Sequence, residues 1–169
     1  EGPCRLALKQ DAFHSLVESV IHQQLSIQAA ATIFKRFRSL YPGRAFPTPD
    51  EVLRTPTEKL RDVGVSNNKI RYLQDLSRNL LDGVIAPRKF INMSDEEIII
   101  NLTQVKGIGR WTAEMFLIFS LGRFNVLPVD DVGLQRAVQL HYGSRYVSSE
   151  MLKRIGKKWE PYCTVATWY

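Results

Sequence analysis

At 169 residues, 44% hydrophobic and 24% charged, the chain has ordinary globular composition and enough length for one core or two small lobes sharing a cleft. Its formal net charge of +6 fits a polyanionic partner, although charge alone does not prove one. No apolar run reaches membrane-spanning length and no signal peptide stands at the N-terminus, so no membrane partner is expected.

Taken in order, the chain reads as nearly all helix. Asp11 caps a first helix whose apolar residues Phe13, Leu16, Val17, Val20 and Ile21 recur at intervals of three and four. Ser26 caps a second that buries Ile27, Ala30, Ile33, Phe34 and Phe37 before Pro42-Gly43. Thr48-Pro49 and Thr55-Pro56 each set a capping residue before a proline at the first helical position, and Thr55 with Glu58 spells a capping box. Gly64 ends that short helix. Ser66 opens a longer one built on Ile70, Leu73, Leu76 and Leu80 and stopped at Asp82-Gly83.

Residues 84–93, with Pro87 inside them, read as a linker with little regular structure. A second capping box, Ser94 with Glu97, starts a helix carrying Ile98, Ile99 and Leu102. After a Gly-Ile-Gly turn, a helix runs from about Arg110 to Leu121 and ends at Gly122. Phe124 to Val129 should be extended because Pro128 disfavours helix at Leu127. A helix then starts at Asp130 or Asp131 and carries Leu134, Ala137, Val138 and Leu140. Ser148 opens another with Leu152, Ile155 and Trp159, and a last helical segment follows Pro161. No alternating strand pattern, repeat or low-complexity tract interrupts this order.

The most informative stretch is Leu102 to Ala113, in which Gly107 and Gly109 flank Ile108 directly before a helix. A glycine turn at a helix N-terminus presents backbone N–H groups in a partial positive field that favours phosphate, and Lys106 and Arg110 stand beside it. The bland reading is a tight link between two helices, and a lone Gly-x-Gly is weak evidence. The longer pattern, ending in Thr112-Ala113, favours a clamp on the DNA backbone that carries no base information. About twenty residues on come Asp130 and Asp131. One carboxylate suffices for capping, whereas a second beside a phosphate clamp repels DNA unless it stabilises a cationic sugar or activates water.

His22-Gln23-Gln24-Leu25-Ser26 lies at a junction of two apolar helices, whose polar side chains either face solvent or are pushed into a duplex when a base is extruded. His14, His22 and His141 show no metal-ligand spacing. Arg36, Arg38, Lys69, Arg71, Arg88 and Lys89 read as solvated helix faces, some of which meet phosphate. Trp159, Trp168, Tyr162 and Tyr169 read as core anchors or as cover for the last helices. Cys4 and Cys163 are too few for zinc or an iron–sulfur cluster and are expected to be reduced or buried thiols. A disulfide between them is left open, because its geometry is not in the sequence.

Four motifs in this order resemble the helix-hairpin-helix (HhH-GPD) DNA glycosylases of the 3-methyladenine DNA glycosylase II type, from about Phe13 to Tyr169. They are His22 to Ile27 with Ala29 to Ala31, Gly64-Val65-Ser66 with Lys69, Val105 to Ala113, and Leu127 to Val132. The resemblance implies an all-α core of two helical lobes with DNA in a cleft. One lobe would run from about 26 to 130 with the hairpin at 102–113, and the other would join the N-terminal segment to the C-terminal helices. It implies hydrolysis of the N-glycosidic bond of alkylated purines such as 3-methyladenine and 7-methylguanine in duplex DNA.

The catalytic role falls on Asp131, and Trp111 and Met115 fall in the base pocket. Met115 stands where some members carry an aromatic residue. Gln24, Lys106, Gly107, Gly109, Arg110 and Thr112 fall on DNA, Gln24 in the place of a leucine wedge. Bifunctional members carry a catalytic lysine where this chain has Trp111, so no strand cleavage is expected. No cofactor is required and no iron–sulfur cluster is expected, but the backbone carbonyls of Thr103, Val105 and Ile108 are implied to bind sodium or potassium. A monomer is expected, in the cytoplasm or nucleoid of a prokaryote or the nucleus of a eukaryote. The rival readings are a helix-hairpin-helix module that binds damaged DNA without cutting a bond, and a glycosylase for deaminated or mismatched bases.

Overall fold

The computed structural model describes residues 11–143 and 146–169, and every regular element among them is helical, with no strand. Cys4 lies outside the described residues. The described residues fall into two compact units, 11–109 and 110–169, divided where the glycine turn meets the helix that follows it.

In the first unit, α1 (Ala12–His22) is capped by the Asp11 carboxylate, which accepts from His14 N at 2.8 Å. Its expected stripe, Phe13, Leu16, Val17, Val20 and Ile21, is buried. It packs on α2 (Ile27–Ser39) and α5 (Asn67–Leu81), both opened by the predicted serine caps. Ala30 and Phe37 of α2 are buried, but Ile27 is 87% exposed. Ile27 is on the apolar stripe by angle, yet it occupies the first position of the helix, where the stripe runs past the end of the core.

The short α3 (Pro49–Arg54) starts with a capping box between Thr48 and Glu51 and packs on α5. The box expected between Thr55 and Glu58 is absent. α4 (Thr57–Asp62) follows Pro56 with no side-chain cap, because Thr55 is already the C-terminal cap of α3. Its hydroxyl is committed to Glu51 O at 2.7 Å and to the Tyr41 hydroxyl at 2.8 Å. Those two bonds set the rotamer of the Thr55 side chain, and its remaining lone pair makes no bond to an amide of α4.

The expected linker is also more ordered than its composition suggests. Residues Pro87–Asn92 form a 3-10 turn with proline at its first position and Phe90 fully buried. A proline fixes the φ such a turn needs, and Phe90 supplies the apolar anchor. The predicted Ser94–Glu97 box then opens α6 (Asp95–Thr103).

The second unit contains α7 (Arg110–Phe119), α8 (Val132–Tyr142), α9 (Ser149–Gly156) and α10 (Cys163–Trp168). Its core is Leu134, Val138, Val147, Leu152 and Ile155, covered by Leu127, Val129, Met151 and Trp159. Leu140 is 76% exposed, contrary to expectation. At 100° per residue it lies about 200° around α8 from buried Val138, on the outer face. Thr164 of α10 ties down the irregular segment between α7 and α8. It donates to Arg123 O at 2.6 Å, accepts from Val126 N at 3.0 Å, and its own N–H reaches Phe124 O at 2.9 Å.

If Phe90 anchors the 3-10 turn, Phe90→Ala should lower the unfolding free energy by about 3–5 kcal/mol, read from urea titration. A change below about 1 kcal/mol would show that the turn does not depend on that ring.

Candidate functional site

The glycine turn is fixed from below by α5. Gly107 has φ +83°, and a Cβ built on it would lie 2.2 Å from the Tyr72 ring. Glycine is therefore required there twice over, by backbone conformation and by the close approach. Gly109 differs: its φ lies outside the left-handed region and a Cβ would meet nothing within 4 Å. Within the turn, Ile108 N donates to Val105 O at 3.1 Å. Lys106 N donates to the Asp75 carboxylate at 2.8 Å, which ties the turn to α5. No hydrogen bond among the described residues engages the N–H of Gly107 or Gly109.

The junction between α1 and α2 reaches the same turn. Gln23 Nε2 donates to Gly107 O at 2.8 Å, and Lys69 Nζ donates to Ile21 O at 2.8 Å and Gln23 O at 2.7 Å. Lys69 is thus not the solvated side chain expected from composition. Gln24 is exposed and holds φ +55°, a left-handed conformation that non-glycine residues rarely adopt.

In the second unit, Asp131 is the N-cap of α8, and its Oδ1 accepts from Leu134 N at 2.8 Å. Its Oδ2 accepts from the Trp111 indole N–H at 2.7 Å. The carboxylate singled out for chemistry is therefore also the cap, and Asp130 is exposed with only a long 3.5 Å contact from the Ser149 hydroxyl. Two donors fix the plane of the Asp131 carboxylate and leave a further lone pair on each oxygen.

A small cavity of about 160 Å³ lies against that carboxylate, lined by Met115, Ile118, Phe119, Asp131, Thr164, Thr167 and Trp168. Met115 is part of that lining. Trp111 lies outside this lining, is 45% exposed, and holds the carboxylate instead. Phe119, Thr167 and Trp168 were not read as site residues. They come from the end of α7 and from α10, and no local pattern announces that those helices meet.

Arg110 Nε is 3.1 Å from the Glu114 carboxylate, which is buried, so its guanidinium is tethered along α7. Thr112 is buried. The Cys163 thiol is buried, donates to Gly156 O at 3.4 Å, and is pushed above the ordinary thiol value mainly by that burial. Among the described residues no three His, Cys, Asp or Glu side chains are grouped to hold a metal.

The chain belongs to the HhH-GPD superfamily of base excision DNA repair proteins, whose pattern matches residues 17–161. It is 37% identical to DNA-3-methyladenine glycosylase 1 of Schizosaccharomyces pombe, over 99% of this chain and 74% of that protein. The structure of the 3-methyladenine DNA glycosylase of that yeast with abasic DNA aligns with a TM-score of 0.87 at 36% identity, over 99% of this chain and 82% of that one. A DNA-3-methyladenine glycosidase from Bacillus halodurans gives 0.88 at 41% identity, over 97% and 76%.

The contrast between the two glycines is measurable by urea unfolding. Gly107→Ala should cost about 2–4 kcal/mol, from the left-handed backbone and the displaced Tyr72 ring. Gly109→Ala should change stability by less than about 0.5 kcal/mol.

Proposed function

We propose that the protein is a monofunctional DNA glycosylase that hydrolyses the N-glycosidic bond of alkylated purines such as 3-methyladenine and 7-methylguanine in duplex DNA, acting as a monomer. The observation that carries this reading is the Asp131 carboxylate, held by the Trp111 indole and the Leu134 amide at the wall of a cavity. The relatives named above support the substrate class.

A purine methylated on a ring nitrogen is already cationic, so it departs with the glycosidic electron pair without a strong general acid. The protein must extrude the nucleotide, house the base, and place negative charge near the sugar cation that develops. Asp131 supplies that charge through its remaining lone pairs. Water, oriented by Asp131, then adds to the anomeric carbon and loses its proton to solvent, leaving a neutral free base and an abasic sugar. The cavity, with Met115, Phe119 and Trp168 in its wall, is smaller than the roughly 300–1,000 Å³ of a drug-sized site and suits a compact planar ring. Trp111 serves chiefly to orient Asp131.

The open N–H groups of Gly107 and Gly109 bind a phosphodiester, assisted by Lys106, by Arg110 once it leaves Glu114, and by the Thr112 amide. Gln24 fills the gap left by the extruded base. The Val105 carbonyl already accepts from Ile108 N and keeps a second lone pair, so with Thr103 and Ile108 it fits a monovalent cation that would stiffen the turn. Trp111 offers no amine for attack on the sugar, which predicts hydrolysis without strand cleavage.

Asp131→Asn preserves a capping acceptor for Leu134 N and removes the charge. It should slow release of 3-methyladenine from methylated duplex by at least about 100-fold while leaving affinity for an abasic duplex within a few fold. Release at the wild-type rate would sink the mechanism. Strand breaks appearing in wild-type digests before alkali would overturn the monofunctional assignment.

A further inference from the structure

We propose that Lys69 is a positioning residue for lesion extrusion: its ammonium and the Gln23 side chain together lock the α1–α2 junction in register with the glycine turn, which sets where Gln24 stands. The proposal rests on the glycosylase reading above and assigns the device that makes extrusion work in a duplex.

The carbonyls that Lys69 engages are those of Ile21, in the last turn of α1, and Gln23, the residue after that helix. Carbonyls at a helix C-terminus have no intrahelical donor and lie at the negative end of its dipole. An ammonium answers both needs, and two of its three protons are used here. Burial pulls Lys69 below the ordinary lysine value, yet both acceptors lie within 2.8 Å. Gln23 is held at two points, its carbonyl by Lys69 and its side-chain amide by Gly107 O. The next residue, Gln24, is the one non-glycine with positive φ among the described residues. Such a conformation persists where its surroundings over-determine it, and the two clamps on Gln23 do so.

Lys69, Tyr72 and Asp75 recur at intervals of three and share one side of α5. Lys69 fixes the junction, Tyr72 lies beneath Gly107, and Asp75 accepts from Lys106 N. One helix face therefore sets both the phosphate-binding turn and the side chain that replaces the extruded base. With both held in register, binding a phosphodiester at the turn places Gln24 at a fixed step of the duplex. Without Lys69, two carbonyls lose their donor and the junction is released.

The test is single-turnover excision of 7-methylguanine by the full chain from two duplexes, one with the lesion paired to cytosine and one with it in an unpaired bulge. Extrusion from the bulge costs less, because the base is already unstacked. Lys69→Met should slow the paired substrate about 10–100-fold and the bulged one less than about 3-fold, and Lys69→Arg should recover part of the loss. Gln23→Met should give the same split, and it carries the test alone if Lys69→Met does not fold. Equal slowing on both duplexes, or none on either, would overturn the proposal. A duplex-binding salt slope reduced by about one in Lys69→Met would also overturn it, because Lys69 would then be a phosphate ligand. If the wild-type protein releases the base from neither duplex, the glycosylase reading itself fails.

Discussion

The Tyr72 ring lies where a side chain on Gly107 would have to go, and much of the first unit's functional surface is arranged by that contact. A turn pressed onto a ring cannot shift without losing packing, so its remaining N–H groups stay aimed in one direction. The Asp75 carboxylate accepts from the turn at Lys106 N, and Gln23 adds a neutral amide hydrogen bond at Gly107 O. Anion binding by backbone amides gains from this rigidity, since the entropy of ordering the turn is lost during folding and not on meeting DNA.

Asp131 joins two segments of its unit through one carboxylate. As the cap of α8 it satisfies Leu134 N, and its other oxygen is taken by the Trp111 indole. A carboxylate left loose beside a polyanion would be pushed away from it. Two donors on separate segments hold its plane without using all its acceptor capacity. Catalysis by preformed charge depends on this kind of fixed orientation. The arrangement also gives Trp111 a reason to be present that is independent of stacking on a base.

The wall of the Asp131 cavity mixes soft and rigid groups. Phe119 and Trp168 meet edge to face with centroids 6.2 Å apart, whereas Met115 is unbranched and adjusts its shape. Such a wall admits planar rings of somewhat different outline. The segment that completes the cavity is held by Thr164, whose hydroxyl and amide bind backbone on the chain between α7 and α8.

The sequence by itself determined the helical class, most caps, the glycine turn and the candidate aspartate, because these follow from short-range rules. A serine or aspartate before an apolar stripe caps a helix whatever surrounds it, and a glycine beside a basic residue marks a turn within a few positions. Local rules failed where another segment competed for the same group. Thr55 was read as a cap for the helix after it, but the carbonyl of Glu51 claimed its hydroxyl. Ile27 and Leu140 looked like core residues by type and are exposed by their place on the helix. Lys69 looked solvated, and only the arrival of the α1 C-terminus beside α5 makes it a half-buried donor. The Trp111–Asp131 bond, the Tyr72–Gly107 contact and the Thr164 tether join residues about 20 to 40 positions apart. Tertiary structure alone decided them, because which helices meet depends on how whole apolar stripes pack and not on any residue's immediate neighbours.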